Sequence, residues 1–190
     1  MSLQTYLEVT NAALLRLGAN RISAFNEKTT EAVVTNEIIL PLQRALLSSH
    51  PWGFATTQSE LSESSSPPIA DFDKAFDLPS DFLRVISAGT GNRGAGLDYR
   101  IHHKKLHTNA DNVKLTYIFE PNPDDWPHYF RQLISAQMAA EICIAITEST
   151  SRSELMFDLA DKEFQRAKLI DAQQESPAAI DGFSLIQVRD

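Results

Sequence analysis

The chain has 190 residues, of which 43% are hydrophobic and 22% are charged, and its formal net charge is −8. This composition is typical of a soluble globular protein, and the acidity argues against a protein that clamps nucleic acid through phosphate contacts. The single cysteine, Cys143, excludes an intrachain disulfide and a zinc site built from several cysteines. We find neither a signal-peptide pattern nor an apolar run long enough to span a membrane, so we expect a soluble protein made in a cytoplasm.

Helical periodicity dominates the first 50 residues of the chain. The leucines of residues 3–17 fall near one face, which predicts a helix that Gly18 ends. Residues 28–49 predict a second helix, in which Pro41 should kink or split the backbone because proline removes a hydrogen-bond donor. The apolar stripe of this second helix comprises Val34, Ile38, Leu42 and Leu46.

The segment 53–123 changes to the period-two alternation that is typical of strands. We predict strands at 54–61, 82–88, 97–101 and 113–119, and a loop at 62–68. Together these strands predict a small, mostly antiparallel sheet with short loops.

Helical spacing returns after residue 123. Asp124 or Asp125 is expected to cap a helix whose first turn holds Pro127. Ser151 and Glu154 form a capping-box pattern that predicts the start of a last helix. Because the break between the two helices is short, they should form an antiparallel hairpin. The inner face of the last helix is predicted to hold Met156, Leu159, Ala160, Phe164, Ala167 and Ile170.

This order of elements predicts an α+β fold. Residues 1–52 and 124–174 would form an antiparallel helical bundle, with a small antiparallel β subdomain inserted at 53–123. Residues 175–190 would follow as an extended C-terminal tail. The tail has no bundle periodicity, so it either packs on its own chain or docks on another one. Its apolar residues are Phe183, Leu185, Ile186 and Val188.

The glycines of residues 89–94 match the GxGxxG spacing of dinucleotide-binding loops. Such a loop binds pyrophosphate at the N-terminus of the helix that follows it. Here the predicted strand 97–101 follows instead, so we favour a hairpin loop.

Three histidines, His102, His103 and His107, are close enough in sequence to suggest zinc ligands. Adjacent strand residues point to opposite faces, so His102 and His103 are not expected to converge, and solvent-facing histidines near a turn are favoured. Cys143 lies in an apolar stripe, which indicates a buried core thiol and not a nucleophile.

Pairs of carboxylates are the remaining candidates for catalysis. A glycosidase needs two of them roughly 5–10 Å apart across the sugar. Nothing in the spacing selects one of the available pairs, so we predict no catalytic, cofactor-binding or metal-binding residue. The pairs are Asp71/Asp73, Asp77/Asp81 and Asp124/Asp125.

Five runs of sequence carry a further signal. They are NAALLRLG at 11–18, RALLSSHPWGFA at 44–55, FDLPSDFLRV at 76–85, KLTYIF at 114–119 and WPHYFRQLISAQMAAEICIAIT at 126–147. In this order and spacing they resemble the tail tubular protein A family, the head-to-tail adaptors of short-tailed bacteriophages. The resemblance extends over about residues 3–173.

The resemblance implies a structural protein of the virion, without enzymatic activity or a cofactor. Such adaptors form a ring, typically dodecameric, between the portal protein at the capsid vertex and a tail nozzle of the tail tubular protein B type. The ring extends the channel through which phage DNA passes without specific binding, and no membrane is involved. The chain would be made in the host cytoplasm, and when free it would be either monomeric or already assembled.

The family's helical bundle forms the ring and faces the portal, and its C-terminal segments tend to reach toward the portal. The tail residues are therefore candidates for a portal-docking arm, namely Phe183, Leu185, Ile186 and Val188.

Two alternative functions stay open. A head-completion or stopper protein of a long-tailed phage would have the same helical core with different tail partners. A tail-associated polysaccharide hydrolase would use one of the carboxylate pairs named above.

Overall fold

A computed structural model describes residues 3–91 and 94–174 of the chain. The tail residues Phe183, Leu185, Ile186 and Val188 lie outside the described residues. The described part is a mixed α and β fold of four helices and six strands: α1 (Leu3–Leu17), α2 (Thr30–Ser49), β1 (Thr56–Glu60), β2 (Lys74–Asp77), β3 (Phe82–Gly89), β4 (Arg100–His102), β5 (Lys105–Thr108), β6 (Lys114–Phe119), α3 (His128–Thr147) and α4 (Thr150–Ala172).

The strands of the described ranges form two antiparallel sheets, each with three strands. In the first sheet β6 lies between β1 and β3, so that Tyr117 pairs with Thr57 on one side and Val85 on the other. In the second sheet β5 lies between β2 and β4. Strand β6 serves two hydrophobic cores, because Ile118 packs with the helices while Leu115 and Tyr117 pack in a smaller core between the strands.

Helix α3 is the centre of the larger core, since it packs against α1, α2 and α4. A helix that is apolar on several faces is expected in such a position. The α3 residues with no exposed surface are Phe130, Leu133, Ile134, Met138, Ala139, Ile142 and Cys143. The apolar spacing of the sequence predicts a buried stripe at Phe130, Leu133, Ile134, Met138, Ile142, Ala145 and Ile146, and the structure confirms it except at Ala145, which is exposed, and Ile146, which is partly buried.

The start of α3 differs from the prediction. Asp124 and Asp125 lie in a separate 3₁₀ turn, Pro123–Asp125, and Pro127 occupies the position before the first helical residue. The Asn122 side chain accepts a hydrogen bond from the N–H of Asp124 at 3.2 Å, and this contact caps the short turn instead of the long helix.

The start of α4 is also corrected. Ser149, and not Ser151, is the capping residue, and its hydroxyl accepts the N–H of Arg152 at 3.3 Å. Glu148 ends α3 in a left-handed conformation with φ of 55°, so only two residues separate the helices. Helix α4 is thus capped by the first of the two serines, Ser149.

Helix α2 continues through Pro41, so of the two predicted effects, a kink or a split, the split is wrong. Pro41 lies on the exposed side of the helix, where water can replace the lost backbone hydrogen bond.

The strand predictions are confirmed at β1, β3 and β6, and β1 is preceded by a 3₁₀ turn at Gly53–Ala55. Of the strand predicted at 97–101, only Arg100 and Ile101 are in a strand, which is β4 and ends at His102. Strands β2 and β5 were missed because four residues are too few to display a clear alternation.

The inner face of α4 is narrower than predicted. Ala160 and Ala167 are buried as expected, but Leu159 is 39% exposed and lies outside the core. Small side chains let two helices approach closely, and Ala160 packs against Ala136 and Ala140 of α3. The predicted residues Met156 and Phe164 do pack against the core, but they are only partly buried.

Replacement of Ile142 by aspartate should unfold the protein, because an unpaired charge in the core costs about 3–5 kcal/mol. Ile144→Asp is the matched control, since Ile144 lies on the same helix and is 53% exposed. Urea unfolding monitored by circular dichroism should show a large loss for Ile142→Asp and little change for Ile144→Asp. Equal midpoints for the two variants would mean that the wrong face of α3 has been placed inside.

Candidate functional site

The run HPWGFA at 50–55 connects the helices to the first sheet. Trp52 has no exposed surface and donates its indole N–H to the carbonyl of Leu46 at 2.9 Å. Its ring centroid lies 5.3 Å from that of Phe130 on α3 and 6.0 Å from that of Phe164 on α4. A buried aromatic ring with a satisfied N–H stabilises its surroundings strongly. One side chain therefore joins α2, α3 and α4 immediately before β1 begins.

A buried carboxylate lies beside Trp52. Asp171, near the C-terminal end of α4, has a side chain that is 6% exposed. Its oxygens accept the backbone N–H of Gly53 at 3.1 and 3.2 Å and the hydroxyl of Tyr129 at 2.6 Å. A buried carboxylate requires such donors, because an unpaired one would be strongly destabilising. We call the group formed by His50, Gly53, Tyr129 and Asp171 the junction.

The two titratable partners of Asp171 are both held neutral. Burial, followed by the hydrogen bond to Asp171, raises the pKa of Tyr129 well above its ordinary 10.0. The phenol therefore stays protonated and donates a hydrogen bond to Asp171. Burial lowers the pKa of His50 below 6.5, an effect larger than the opposing attraction of Asp171. The 3.7 Å contact between His50 Nε2 and Asp171 Oδ2 is therefore not an ion pair at neutral pH. This arrangement suits anchoring of a helix end more than proton transfer.

A second set of polar contacts links α2 to two other runs that carry the family resemblance, 76–85 and 114–119. In the run at 76–85, the Asp81 carboxylate accepts the Tyr117 hydroxyl at 3.2 Å, and the Asp81 carbonyl accepts the N–H of Glu120 at 3.0 Å. Glu120 accepts a hydrogen bond from Arg44 Nε at 3.1 Å. These contacts fix the start of β3 and the end of β6 against α2.

Several large apolar side chains remain uncovered on the helices. Leu155 and Leu169 of α4 are 54% and 66% exposed, and Leu15 of α1 and Val33 of α2 are also more than half exposed. Leu155 and Leu169 recur at helical spacing with Lys162 and Arg166, so all four side chains share the face of α4 that points away from Ala160. We call this the outer face of α4. It is a candidate interaction surface on the described helices.

The histidines lie closer together than predicted. The ring centroid of His102 is 4.3 Å from that of His103 and 6.1 Å from that of His107. The rings of His102 and His103 approach each other because His103 has φ of 48° and lies in a turn after β4, and both side chains are exposed near that turn, as predicted. Across residues 3–91 and 94–174, no group of three or more histidine, cysteine, aspartate or glutamate residues is arranged to hold a metal ion.

The glycine-rich loop lies partly outside the described residues, at 92 and 93. Gly89 has a structural requirement of its own, because a Cβ there would overlap the backbone of Ala95. The loop leads to β4 and not to a helix, so the geometry of a dinucleotide site is not found after it.

Cys143 lies on the buried face of α3, within the hydrophobic core, as predicted. The carboxylates predicted as possible pairs have separate structural contacts. The Asp71 carboxylate accepts a hydrogen bond from Arg100 at 2.8 Å, and the Asp77 carboxylate lies 3.8 Å from the Lys105 ammonium. The Asp124 carboxylate accepts a hydrogen bond from the Thr5 hydroxyl at 2.6 Å. Each of these contacts is a surface ion pair or a link between elements.

No protein-family model matches the chain, and no curated protein matches it significantly. The helices found in the described ranges are all too short or too polar to cross a membrane. Sequence reasoning missed Asp171 altogether, because one acidic residue in a charged helix gives no signal before its partners are known.

The lowered pKa of His50 predicts a loss of stability in mild acid. The unfolded chain takes up a proton at about pH 6.5 while the folded His50 stays neutral, so stability falls as the pH drops through this value. Thermal unfolding at pH 7.5 and 5.5 should show a smaller decrease for His50→Gln than for the unchanged protein. His128→Gln is the control, since His128 is exposed. An equal decrease in His50→Gln and the unchanged protein would contradict this assignment.

Proposed function

We propose that this chain is a structural head-to-tail adaptor of a short-tailed bacteriophage. In this proposal residues 1–52 and 124–174 form the antiparallel helical bundle, 53–123 form an inserted β subdomain and 175–190 form an arm. Copies of the chain join a portal protein to a tail nozzle as a ring, and they act by assembly without chemical catalysis.

The observation that carries the proposal is the outer face of α4. This helix has 23 residues, yet its buried residues are Ser153, Ala160, Ala167 and Asp171. A long helix anchored through so narrow a stripe leaves apolar side chains available for other chains. A protein whose surface is completed in an assembly has this property.

The second support comes from the runs that carry the family resemblance. Trp52 belongs to the run at 44–55, and Phe130 belongs to the run at 126–147; their rings meet in the core. Asp81 and Tyr117, from two other runs, are hydrogen-bonded to each other. The resemblance therefore includes residues that contact one another across the fold. Such contacts favour a shared fold over a chance similarity of short runs.

A closed ring requires two different complementary patches on each copy. The outer face of α4 supplies one, and the exposed Leu15 and Val33 of α1 and α2 supply a candidate for the other. The net charge of −8 is suited to a channel wall, since repulsion keeps phage DNA from binding to it.

The described part of the chain ends close to a fixed point. Asp171 anchors the end of α4 to Gly53, and residue 175 follows four positions later. Residues 183–188, FSLIQV, provide apolar side chains for a partner. We propose that the portal protein is this partner and that an extended segment docks on its surface.

Deletion of residues 176–190 should leave the fold intact and weaken binding to portal rings from the same phage. Replacement of Phe183, Leu185, Ile186 and Val188 by serine in the full chain should weaken binding similarly, because these residues supply the apolar contact. The control changes Ser184 and Gln187 to alanine in the same segment. Binding is measured by co-sedimentation with portal rings, and native mass spectrometry counts the copies bound.

Portal affinity that is equal for the full and truncated chains would exclude a docking role for the arm. If neither chain bound the portal or formed a ring on it, the adaptor function itself would be wrong.

A further inference from the structure

The β4–β5 hairpin carries its basic side chains on one face. Arg100 pairs with His107, and His102 pairs with Lys105, in antiparallel register. Directly paired residues share a face of the sheet, as do alternate residues of one strand, so these four side chains point the same way. Leu106 points to the other side and is fully buried in the smaller core.

This basic face forms one wall of a groove with a volume of about 470 Å³. The segment 66–72 forms the opposite wall and supplies apolar surface from two prolines, Ile69 and Phe72. Arg100 Nη1 donates a hydrogen bond to Asp71 Oδ2 at 2.8 Å, which ties this segment to β4. The groove thus places a polar, basic wall opposite an apolar one.

The groove is positively charged although the chain as a whole is acidic. Its lining holds two permanent cations, Arg100 and Lys105, and one permanent anion, Asp71, which sum to +1 while the imidazoles are neutral. Histidine is the side chain whose charge changes most readily near neutral pH. Full protonation would add three charges and bring the lining to +4; the residues concerned are His102, His103 and His107.

The neighbouring charges only partly offset this positive charge. Lys105 Nζ lies 2.7 Å from the Ser64 hydroxyl and 3.8 Å from Asp77 Oδ1 on β2. The side chains of Asp71 and Asp77 are 63% and 60% exposed, so solvent weakens their attraction for the cations. Lys104, in the turn after β4, adds a further positive charge to the hairpin.

The turn of the hairpin has basic residues at positions where the backbone conformation favours other residue types. His103 and Lys104 have φ values of 48° and 59°, both in the left-handed region. Two-residue hairpin turns with this geometry favour Asn-Gly, because these residues adopt positive φ more easily. Two basic side chains thus occupy positions that are unfavourable for the backbone.

We propose that this groove binds a small oxyanion carried on a compact apolar group, and that binding strengthens as the pH is lowered and the histidines gain charge. The Arg100 guanidinium, the Lys105 ammonium and the protonated imidazoles donate charge-assisted hydrogen bonds to the anion. The wall at 66–72 receives the apolar group. This site is distinct from the surfaces that the proposed adaptor function uses.

Calorimetric titration of the full-length protein at pH 5.5 and 7.5 tests the proposal. The probes are inorganic sulfate, phenyl sulfate and benzoate, because the charge of each is nearly constant between these pH values. Phenyl sulfate should bind more tightly than inorganic sulfate, and more tightly at pH 5.5 than at 7.5. Comparison of phenyl sulfate with benzoate decides whether the natural ligand carries a tetrahedral anion or a carboxylate.

His102→Gln and His107→Gln should each weaken binding at pH 5.5 by about tenfold, since each removes one charge-assisted hydrogen bond. The double variant should lose most of the pH dependence, because only His103 is left among the groove histidines. His128→Gln is the matched control, because His128 lies at the start of α3 and does not line this groove. Circular dichroism checks that every variant is folded.

The proposal is overturned if no probe shows saturable binding at pH 5.5. It is also overturned if His128→Gln weakens binding as much as the groove variants do, or if the double variant keeps the full pH dependence. Failure of portal assembly would leave this test unaffected, because the probes report only on the groove.

Discussion

The fold depends on how the carboxylate of Asp171 is satisfied. A charged group with a side chain only 6% exposed must find hydrogen-bond donors within the protein. The donors come from Gly53, just before β1, and from Tyr129, near the start of α3. The end of α4 is thereby fixed to the point where the chain leaves α2 for the first sheet. Trp52, next to Gly53, adds aromatic contacts with α3 and α4 to the same point.

This constraint defines a frame that is separate from the exposed surfaces described above. The frame comprises α3, the junction and β6, which contributes side chains to both hydrophobic cores. The outer face of α4 and the groove beside β4 lie outside the frame. A rigid frame that presents several surfaces suits a protein that acts by contact with other chains. Changes on those surfaces should alter binding while the fold is kept, because few core contacts depend on them.

The sequence predicted most of the elements and little of the junction. Periodicity located α1 and α3, because long amphipathic helices repeat their pattern many times. It missed β2 and β5, which are four residues long, and it placed Leu159 inside because it could not show that alanines would let α4 approach α3 so closely. The three histidines were visible in the sequence, but their proximity depends on the backbone conformation of the turn. The contacts of Asp171 join residues 118 positions apart, and no local pattern encodes them.

Hydrogen exchange in Asp171→Asn tests most directly whether the junction couples the helices to the sheet. Asp161→Asn, an exposed change on the same helix, is the control. The central claim predicts that amides of α3, of the end of α4 and of β6 all lose protection by a similar free energy, of about 2–3 kcal/mol for a buried charged hydrogen-bonding group. Loss of protection confined to the last turns of α4, with β6 unchanged, would contradict the claim.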